Sequence, residues 1–262
     1  MKSYEKKVFS FADSDELSKS ICTYIENLSK ESIEKHGRFT VAFSGGSLPK
    51  TVSKYLVQSS NVDFTKWYVF FADERCVKHD DSDSNYLLVK QEFLSKLRPE
   101  NCVPESQVIS INEDLVNNSE EAADDYEEKL VKVFVGKETV RYPVFDLLLL
   151  GMGPDGHTCS LFPGFPQVQE TGSWVTNIDN SPKPPPSRIT LTLPVLNDAH
   201  NVAFVNSGSQ KAQIIKEILQ DKSTAYPAGL VSPQRGNLYW FMDSQSSSLL
   251  SPSVISEFSN KL

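Results

Sequence analysis

Short apolar runs alternate with segments of helical periodicity along most of this chain, and this alternation constrains the fold more than any other feature. The clearest strand candidates are Phe39–Phe43, Trp67–Phe71 and residues 144–150, the last being almost continuously apolar. Such a pattern predicts an α/β fold, a mostly parallel sheet with helices on both faces. The other strand candidates are 108–111, 189–193, 202–205 and 238–242, and the helix candidates are 48–57, 85–97, 120–134 and 210–219.

Length and charge limit the classes of protein to which this chain can belong. Its 262 residues suit one large α/β domain or two small ones, and we predict a single domain over residues 1–262. The formal net charge of −8 argues against a general nucleic-acid-binding protein, because no basic field is present to neutralise many phosphates. One small anionic ligand remains compatible with this charge, since it needs only a few well-placed cations.

The amino terminus and the cysteines favour a cytoplasmic protein. The first seven residues are polar and lack the apolar stretch of a signal peptide. The longest apolar run, 147–150 with its flanks, is too short to span a bilayer. The four cysteines are scattered and form no Cys-x-x-Cys pair, so we predict reduced thiols and no zinc site. We expect a cytoplasmic monomer with no membrane partner.

The first candidate site is the turn after Phe39–Phe43, because ligands bind beyond the carboxyl ends of strands in an open parallel sheet. Ser44, Gly45, Gly46 and Ser47 form this turn. The glycines allow a tight turn whose N–H groups, with the two serine hydroxyls, are predicted to cradle a phosphate. The alternative is an ordinary turn in which Ser47 caps the next helix. A serine hydrolase is not indicated, since neither serine lies in a Gly-x-Ser-x-Gly pattern.

The second candidate site follows Trp67–Phe71 and reads Asp73, Glu74 and Arg75. An acid and a guanidinium at the end of a strand fit a role in binding hydroxyls and developing negative charge. The alternative is a solvated turn that holds a weak surface ion pair.

The third candidate site is the glycine loop at 151–157, which follows the most apolar predicted strand. The loop matches Gly-x-Gly-x-x-Gly, but a dinucleotide-binding fold would begin a long helix here. Prolines at 163 and 166 end any such helix early, and Pro154 removes an N–H from the loop. We therefore predict that no nicotinamide cofactor binds.

What remains in this loop is a set of polar and small residues around one histidine. His157 is a candidate general base, because histidine titrates near neutrality, and Asp155 is placed to orient it. Gly153 and Gly156 supply the tight turn. A structural histidine is the alternative. No His-x-x-x-His or His-Glu-x-x-His spacing exists, so no metal site is predicted.

Two cations are candidates for completing an anion site. Lys211 lies in the first turn of a predicted helix, where the helix dipole and the ammonium would both act on a phosphate. A solvated position on a helix face is the alternative. Arg188 precedes the strand candidate 189–193, so a parallel strand would leave it at the wrong end of the sheet. Either Arg188 is structural or its strand runs antiparallel. The proline-rich stretch 181–187 before it is predicted to be a rigid loop over a site.

Four stretches of the chain resemble the 6-phosphogluconolactonases. They are residues 43–47 (Phe-Ser-Gly-Gly-Ser), 71–77 (Phe-Ala-Asp-Glu-Arg-Cys-Val), 146–163, which includes Gly-Met-Gly-Pro-Asp-Gly-His-Thr-Cys-Ser-Leu-Phe-Pro, and 184–194. The resemblance implies a Rossmann-like fold shared with glucosamine-6-phosphate deaminase and ribose-5-phosphate isomerase. It also implies hydrolysis of 6-phospho-D-glucono-1,5-lactone to 6-phospho-D-gluconate in the oxidative pentose phosphate pathway, without metal or cofactor.

The same resemblance implies roles for the candidate residues. His157 would be the general base that activates water, and Asp73 and Arg75 would line the sugar and stabilise charge. The residues implied to bind substrate are Ser44, Gly45, Gly46, Ser47, Gly153, Asp155, Gly156, Arg188 and Lys211. Cys159 stands where many relatives carry a small residue, which implies packing rather than chemistry.

Two rival functions remain open. One is a sugar-phosphate deaminase or isomerase on the same fold, which resembles Asp-Gly-His followed by Ile-Ala-Phe-Asn-Glu-Pro with a functional glutamate. Here Thr-Cys-Ser-Leu-Phe-Pro follows His157, and no acid occurs before Glu170. The other rival is a non-catalytic paralogue, which loss of His157 or Arg75 would favour, although both are present.

Overall fold

The computed structural model describes residues 4–135 and 140–260. The predictions made for the first seven residues and for one domain over 1–262 therefore extend to positions outside the described residues, namely 1–3, 136–139 and 261–262. The strands are β1 Lys6–Phe11, β2 Phe39–Phe43, β3 Trp67–Phe71, β4 Asp73–Arg75, β5 Leu147–Leu150, β6 Val175–Ile178, β7 Arg188–Leu191, β8 Asn201–Asn206 and β9 Asn237–Asp243. The helices are α1 Ser14–His36, α2 Leu48–Leu56, α3 Asn85–Glu92, α4 Ser119–Phe134, α5 Leu193–Asp198, α6 Ala212–Leu219 and α7 Pro227–Leu230.

Two sheets carry these strands. The larger is a six-stranded, wholly parallel sheet in the order β1-β9-β8-β5-β2-β3. The smaller is antiparallel, in the order β4-β7-β6. The predicted α/β fold with a mostly parallel sheet is confirmed, whereas the small sheet was not predicted.

The two faces of the parallel sheet bury two separate hydrophobic clusters. On the central strand β5, Leu147 and Leu149 pack into the cluster that holds α1, α2 and α3. Leu148 and Leu150 pack into the opposite cluster, which holds α4, α5 and α6. Helices therefore cover both faces, which explains why this strand is apolar at every position.

The first strand and the longest helix were missed, since no element was predicted before Phe39. Helix α1 has clear end signals: Asp13 Oδ1 accepts from two N–H groups of the first turn, and Gly37 ends the helix at φ 81°. Ser18, Ser29 and Ser32 occupy buried positions of α1. These serines weaken the apolar periodicity from which a helix is recognised.

Several predicted bounds also need correction. Residues 108–111 form a single bridge, Val69 to Val108, rather than a strand. The helix predicted at 85–97 ends at Glu92, because Phe93 leaves helical geometry at φ −124° and ψ −71°. The helix predicted at 210–219 begins at Ala212, after a 3-10 turn.

The strand predicted at 189–193 begins one residue earlier and ends two residues earlier, and it belongs to the small sheet rather than to the parallel one. Strand β7 runs antiparallel to both β4 and β6, and α5 begins already at Leu193. Arg188 therefore lies at the ligand end of the molecule, as the antiparallel alternative required. All four cysteines have free thiols. Among the described residues, no helix has the length and apolar character needed to cross a membrane.

Candidate active site

A pocket of about 210 Å³ opens where the parallel strands end. It is lined by Ser44, Gly45, Gly46, Ser47, Leu48, Asp73, Arg75, Gly151, Met152, Gly153, Pro154, His157, Cys159, Arg188, Val205 and Lys211. The structure thus brings the three candidate sites and both candidate cations to one cavity. Asp155 and Gly156 are the predicted substrate-binding residues that do not line it.

The glycine loop turns so tightly that it supports the imidazole of His157. The N–H of Gly153 donates to the carbonyl of His157 at 2.9 Å, and the N–H of Gly156 donates to that of Gly153 at 3.0 Å. A Cβ atom at Gly153 would lie 2.0 Å from Cε1 of His157, so only glycine permits this ring position. A Cβ atom at Gly156 would lie 2.4 Å from Cδ1 of Tyr226, which makes Gly156 a packing position.

His157 is held by one ring nitrogen. Nδ1 lies 2.5 Å from Oδ1 of Asp155, and a carboxylate can only accept, so Nδ1–H donates. Nε2 is then the unprotonated nitrogen, and it makes no hydrogen bond within the described part of the chain. Burial lowers the pKa of His157, although the bond to Asp155 opposes that shift. The predicted orienting role of Asp155 fits this geometry.

Asp73 and Arg75 lie on β4 rather than in a solvated turn. The carboxylate of Asp73 is buried and accepts from the Ser160 hydroxyl at 2.8 Å. Nη1 of Arg75 donates to the Asp83 carbonyl at 2.7 Å. Nε of Arg75 is buried and has no hydrogen-bond partner among the described residues. Arg75 therefore keeps donor capacity for an anion in the pocket.

Glu74, between these two residues, was not predicted to have a role. Its buried carboxylate accepts from the N–H groups of Arg75, Asn85 and Tyr86, each at 2.7 Å. Burial raises the pKa of Glu74 to about 7, while those three donors oppose the shift. The contacts join β4 to the start of α3. Asn85 in turn packs on Gly45, where a Cβ atom would lie 1.9 Å from Oδ1 of the asparagine.

Arg188 is engaged mainly with the protein itself. Its guanidinium donates to the carbonyls of Lys183, Pro184 and Pro185 at 2.9 to 3.0 Å. Nη1 also lies 3.4 Å from the Ser160 hydroxyl. Because a guanidinium has only five N–H donors, little capacity remains for a ligand. The structural alternative for Arg188 is favoured, although the residue does line the pocket.

The part of the pocket lined by the turn at 44–47 and by Lys211 is suited to an anion. Gly46 adopts φ 72°, and Ser47 occupies the N-cap position of α2 without a side-chain hydrogen bond to the helix. Nζ of Lys211 lies 3.4 Å from Oδ1 of Asn206, and burial lowers the pKa of this lysine. Among the lining residues, three cations face one carboxylate, which gives a positive cavity in an acidic protein.

Two further features limit the chemistry available here. Burial raises the pKa of the Cys159 thiol, which disfavours the thiolate that a nucleophilic cysteine needs. In the described ranges, no group of three or more His, Cys, Asp or Glu side chains is arranged to hold a metal ion.

Comparison with known proteins assigns the family. The model described as glucosamine-6-phosphate isomerases/6-phosphogluconolactonase matches residues 12–240. This chain belongs to that family. A relative from Schizosaccharomyces pombe, named probable 6-phosphogluconolactonase, is 44% identical over 96% of this chain and 98% of its own length. A 6-phosphogluconolactonase of Rattus norvegicus is 45% identical over 92% of both chains.

The fold agrees with this family as well. A solved 6-phosphogluconolactonase from Trypanosoma cruzi superposes with a TM-score of 0.82, covering 95% of this chain and 98% of that one at 27% identity. The sequence resemblance rested on four short stretches, whereas the family match covers β2, β3, β5 and β8 and the first part of β9. The predicted membership is therefore confirmed.

Proposed function

We propose that this protein hydrolyses 6-phospho-D-glucono-1,5-lactone to 6-phospho-D-gluconate in the oxidative pentose phosphate pathway. One observation carries the proposal: His157, whose side chain is 17% exposed, lies beside Asp155, with Nε2 unpartnered by the described residues, on a pocket whose other charges are mainly cationic. That combination offers a neutral base and a positive cavity for a phosphorylated substrate. The names of the full-length relatives at 44% and 45% identity support the same reaction.

The reaction needs only a base and a stabilised oxyanion. Nε2 of His157 accepts a proton from water as its oxygen bonds to the lactone carbonyl carbon. The negative charge moves to the carbonyl oxygen, where Arg75, whose Nε has no hydrogen-bond partner among the described residues, is proposed to stabilise it. The ring C–O bond then breaks, and the departing ring oxygen takes the proton back from the imidazolium. A δ-lactone is a reactive ester, so a base that contributes about 10²–10⁴-fold is sufficient.

The phosphate is proposed to bind away from the reacting carbon. The N–H groups of the turn at 44–47 and the ammonium of Lys211 would hold it. Binding energy at this remote group would position the carbonyl for attack. Asp73 would contact the sugar hydroxyls through the carboxylate oxygen that Ser160 does not use.

A deaminase or isomerase reaction has no support at this site. The first acid after His157 is Glu170, whose carboxylate accepts from the N–H groups of Gly172 and Ser173. Glu170 does not line the pocket.

We further propose that the protein works in the cytoplasm as a monomer, with no metal, cofactor, membrane or nucleic acid. Metal analysis, light scattering and cell fractionation would test these properties.

The reaction class can be tested by substrate. The lactone should be generated in situ from glucose 6-phosphate and its decay followed with and without the protein. We expect decay well above the spontaneous rate, with 6-phosphogluconate as the product, and no ammonia from glucosamine 6-phosphate. Decay at the spontaneous rate, or release of ammonia, would overturn the proposed function.

A further inference from the structure

Lys183 is a cation that contacts both Asp155 and His157 without lining the pocket. Its Nζ lies 3.1 Å from Oδ1 of Asp155 and 3.3 Å from Nδ1 of His157. The Nδ1–H of His157 and the ammonium of Lys183 thus reach the same carboxylate oxygen. Lys183 does not line the pocket, so its contact here is with Asp155 and His157 rather than with the cavity.

The backbone of Lys183 is fixed on both sides, which gives its long side chain a defined origin. Its N–H donates to the Ser181 hydroxyl at 3.2 Å. Its carbonyl accepts from that hydroxyl at 2.9 Å and from Nη2 of Arg188 at 2.9 Å. Arg188 also binds the next two carbonyls of the loop, so the buried guanidinium acts as a clamp on this segment.

The hydrogen bond between Asp155 and Nδ1 of His157 would be less restricted without Lys183. Asp155 lies in a glycine loop, and its side chain is 37% exposed. A carboxylate on such a loop can rotate away from its histidine, and a second hydrogen bond restricts that rotation. Burial disfavours the ionised form of Asp155, but hydrogen bonds from His157 and Lys183 lower its pKa, which keeps it an acceptor.

We propose that Lys183 is a positioning residue for the proposed lactonase reaction: it holds the Asp155 carboxylate against Nδ1 of His157 and so presents Nε2 to the pocket. The inference rests on the proposed function for its kinetic consequences, but its structural content does not depend on the substrate. Lys183 also opposes the charge of Asp155. Two carboxylates, Asp155 and Asp73, raise the pKa of His157, and the ammonium of Lys183 lowers it.

The test compares Lys183→Met, which keeps the aliphatic stem, with Lys183→Arg, which keeps the cation. The matched control is Lys216→Met: Lys216 is 34% exposed against 38% for Lys183, and its Nζ lies 3.3 Å from a carboxylate, that of Asp221. Kinetics on the lactone should show kcat about tenfold lower in Lys183→Met, with KM changed less than about twofold. Lys183→Arg should restore kcat to near the wild-type value.

Nitrogen NMR of the imidazole, without substrate, separates failure of this inference from failure of the proposed function. In the wild type we expect His157 as the Nδ1–H tautomer, assigned by comparison with His157→Gln. In Lys183→Met the Nδ1–H tautomer should lose population to the Nε2–H tautomer, because Asp155 is no longer held against Nδ1, while Lys216→Met should match the wild type. An unchanged tautomer population in Lys183→Met would overturn the inference. A raised KM with an unchanged tautomer population would also overturn it, because Lys183 would then bind substrate.

Discussion

At the scale of single residues, the site depends on a close approach between backbone and imidazole. The ring of His157 occupies the space that a side chain at Gly153 would need, and on another side it packs on Phe162 with ring centroids 4.7 Å apart. The position of the imidazole therefore depends on the absence of a side chain at Gly153 as much as on the hydrogen bond to Asp155.

Substitution of Gly153 tests this close approach. In Gly153→Ala the new methyl group must displace the ring, so we expect kcat on the lactone to fall about 100-fold. Gly151→Ala adds the same group where no atom lies within 4 Å, and it should lose far less activity. Equal losses in the two variants would contradict the proposed ring support.

The pH dependence of the reaction follows from the protonation state of His157. A general base is active only when neutral, so activity falls as the pH drops through its pKa. Since burial lowers that pKa from the ordinary value of about 6.5, the acid limb of kcat/KM should lie below pH 6.5. A pH–rate profile measures the limb directly, and a midpoint above 6.5 would contradict the assignment.

Residues in the loops that follow strands were predictable, whereas the individual contacts of residues on other segments were not. Ser44 comes directly after β2, and His157 lies in the glycine loop that follows β5, so the rule for parallel sheets located both. Lys183 lies in the proline-rich loop that was predicted to cover a site, 26 positions from His157, but no periodic signal marks its contact. Glu74 lay inside a predicted motif, but its three N–H partners depend on how β4 meets α3.

At the scale of elements, the small antiparallel sheet determines where the charged residues lie. Pairing of β4 with β7 puts Arg75 opposite Arg188 and Asp73 opposite Thr190. Strands β4 and β6, of three and four residues, carry too little alternation and were not recognised from sequence, whereas β7 was. The strands of the parallel sheet were largely recognised because they are apolar throughout, as β2 and β3 illustrate.

Glu74 should therefore matter for stability more than its position beside the site suggests. In Glu74→Gln an amide NH₂ can face one of the backbone N–H donors, leaving a buried donor unsatisfied. We expect a loss of about 1–3 kcal/mol in the free energy of unfolding, measured by urea titration. Glu128→Gln removes a surface carboxylate on α4, 74% exposed, and should change stability by less than about 0.5 kcal/mol. Equal stability of Glu74→Gln and the wild type would contradict this account.

At the scale of the whole molecule, the two hydrophobic clusters share one sheet. Neighbouring residues of β2, β5 and β8 point into opposite clusters, so neither cluster can lose its packing while the sheet stays intact. Trp67 belongs to the cluster of α1, and Trp174 and Trp240 belong to the other.

We therefore expect one cooperative unfolding transition, consistent with the predicted single domain. In Trp67→Phe the remaining tryptophans, Trp174 and Trp240, report on the opposite cluster. For the wild type and for this variant, the unfolding midpoint from tryptophan fluorescence should equal the midpoint from circular dichroism of the same protein. Separate transitions for the two clusters would contradict a single folding unit.

The central claim is that His157 acts as the base for lactone hydrolysis in this pocket. The most direct measurement is kcat/KM for 6-phosphogluconolactone, corrected for spontaneous hydrolysis, in the wild type, His157→Gln and the control His79→Gln. His79 lies beside Glu113, outside the pocket. We expect kcat/KM to fall about 10²–10⁴-fold in His157→Gln and to keep the wild-type value in His79→Gln. Full activity in a folded His157→Gln variant would contradict it.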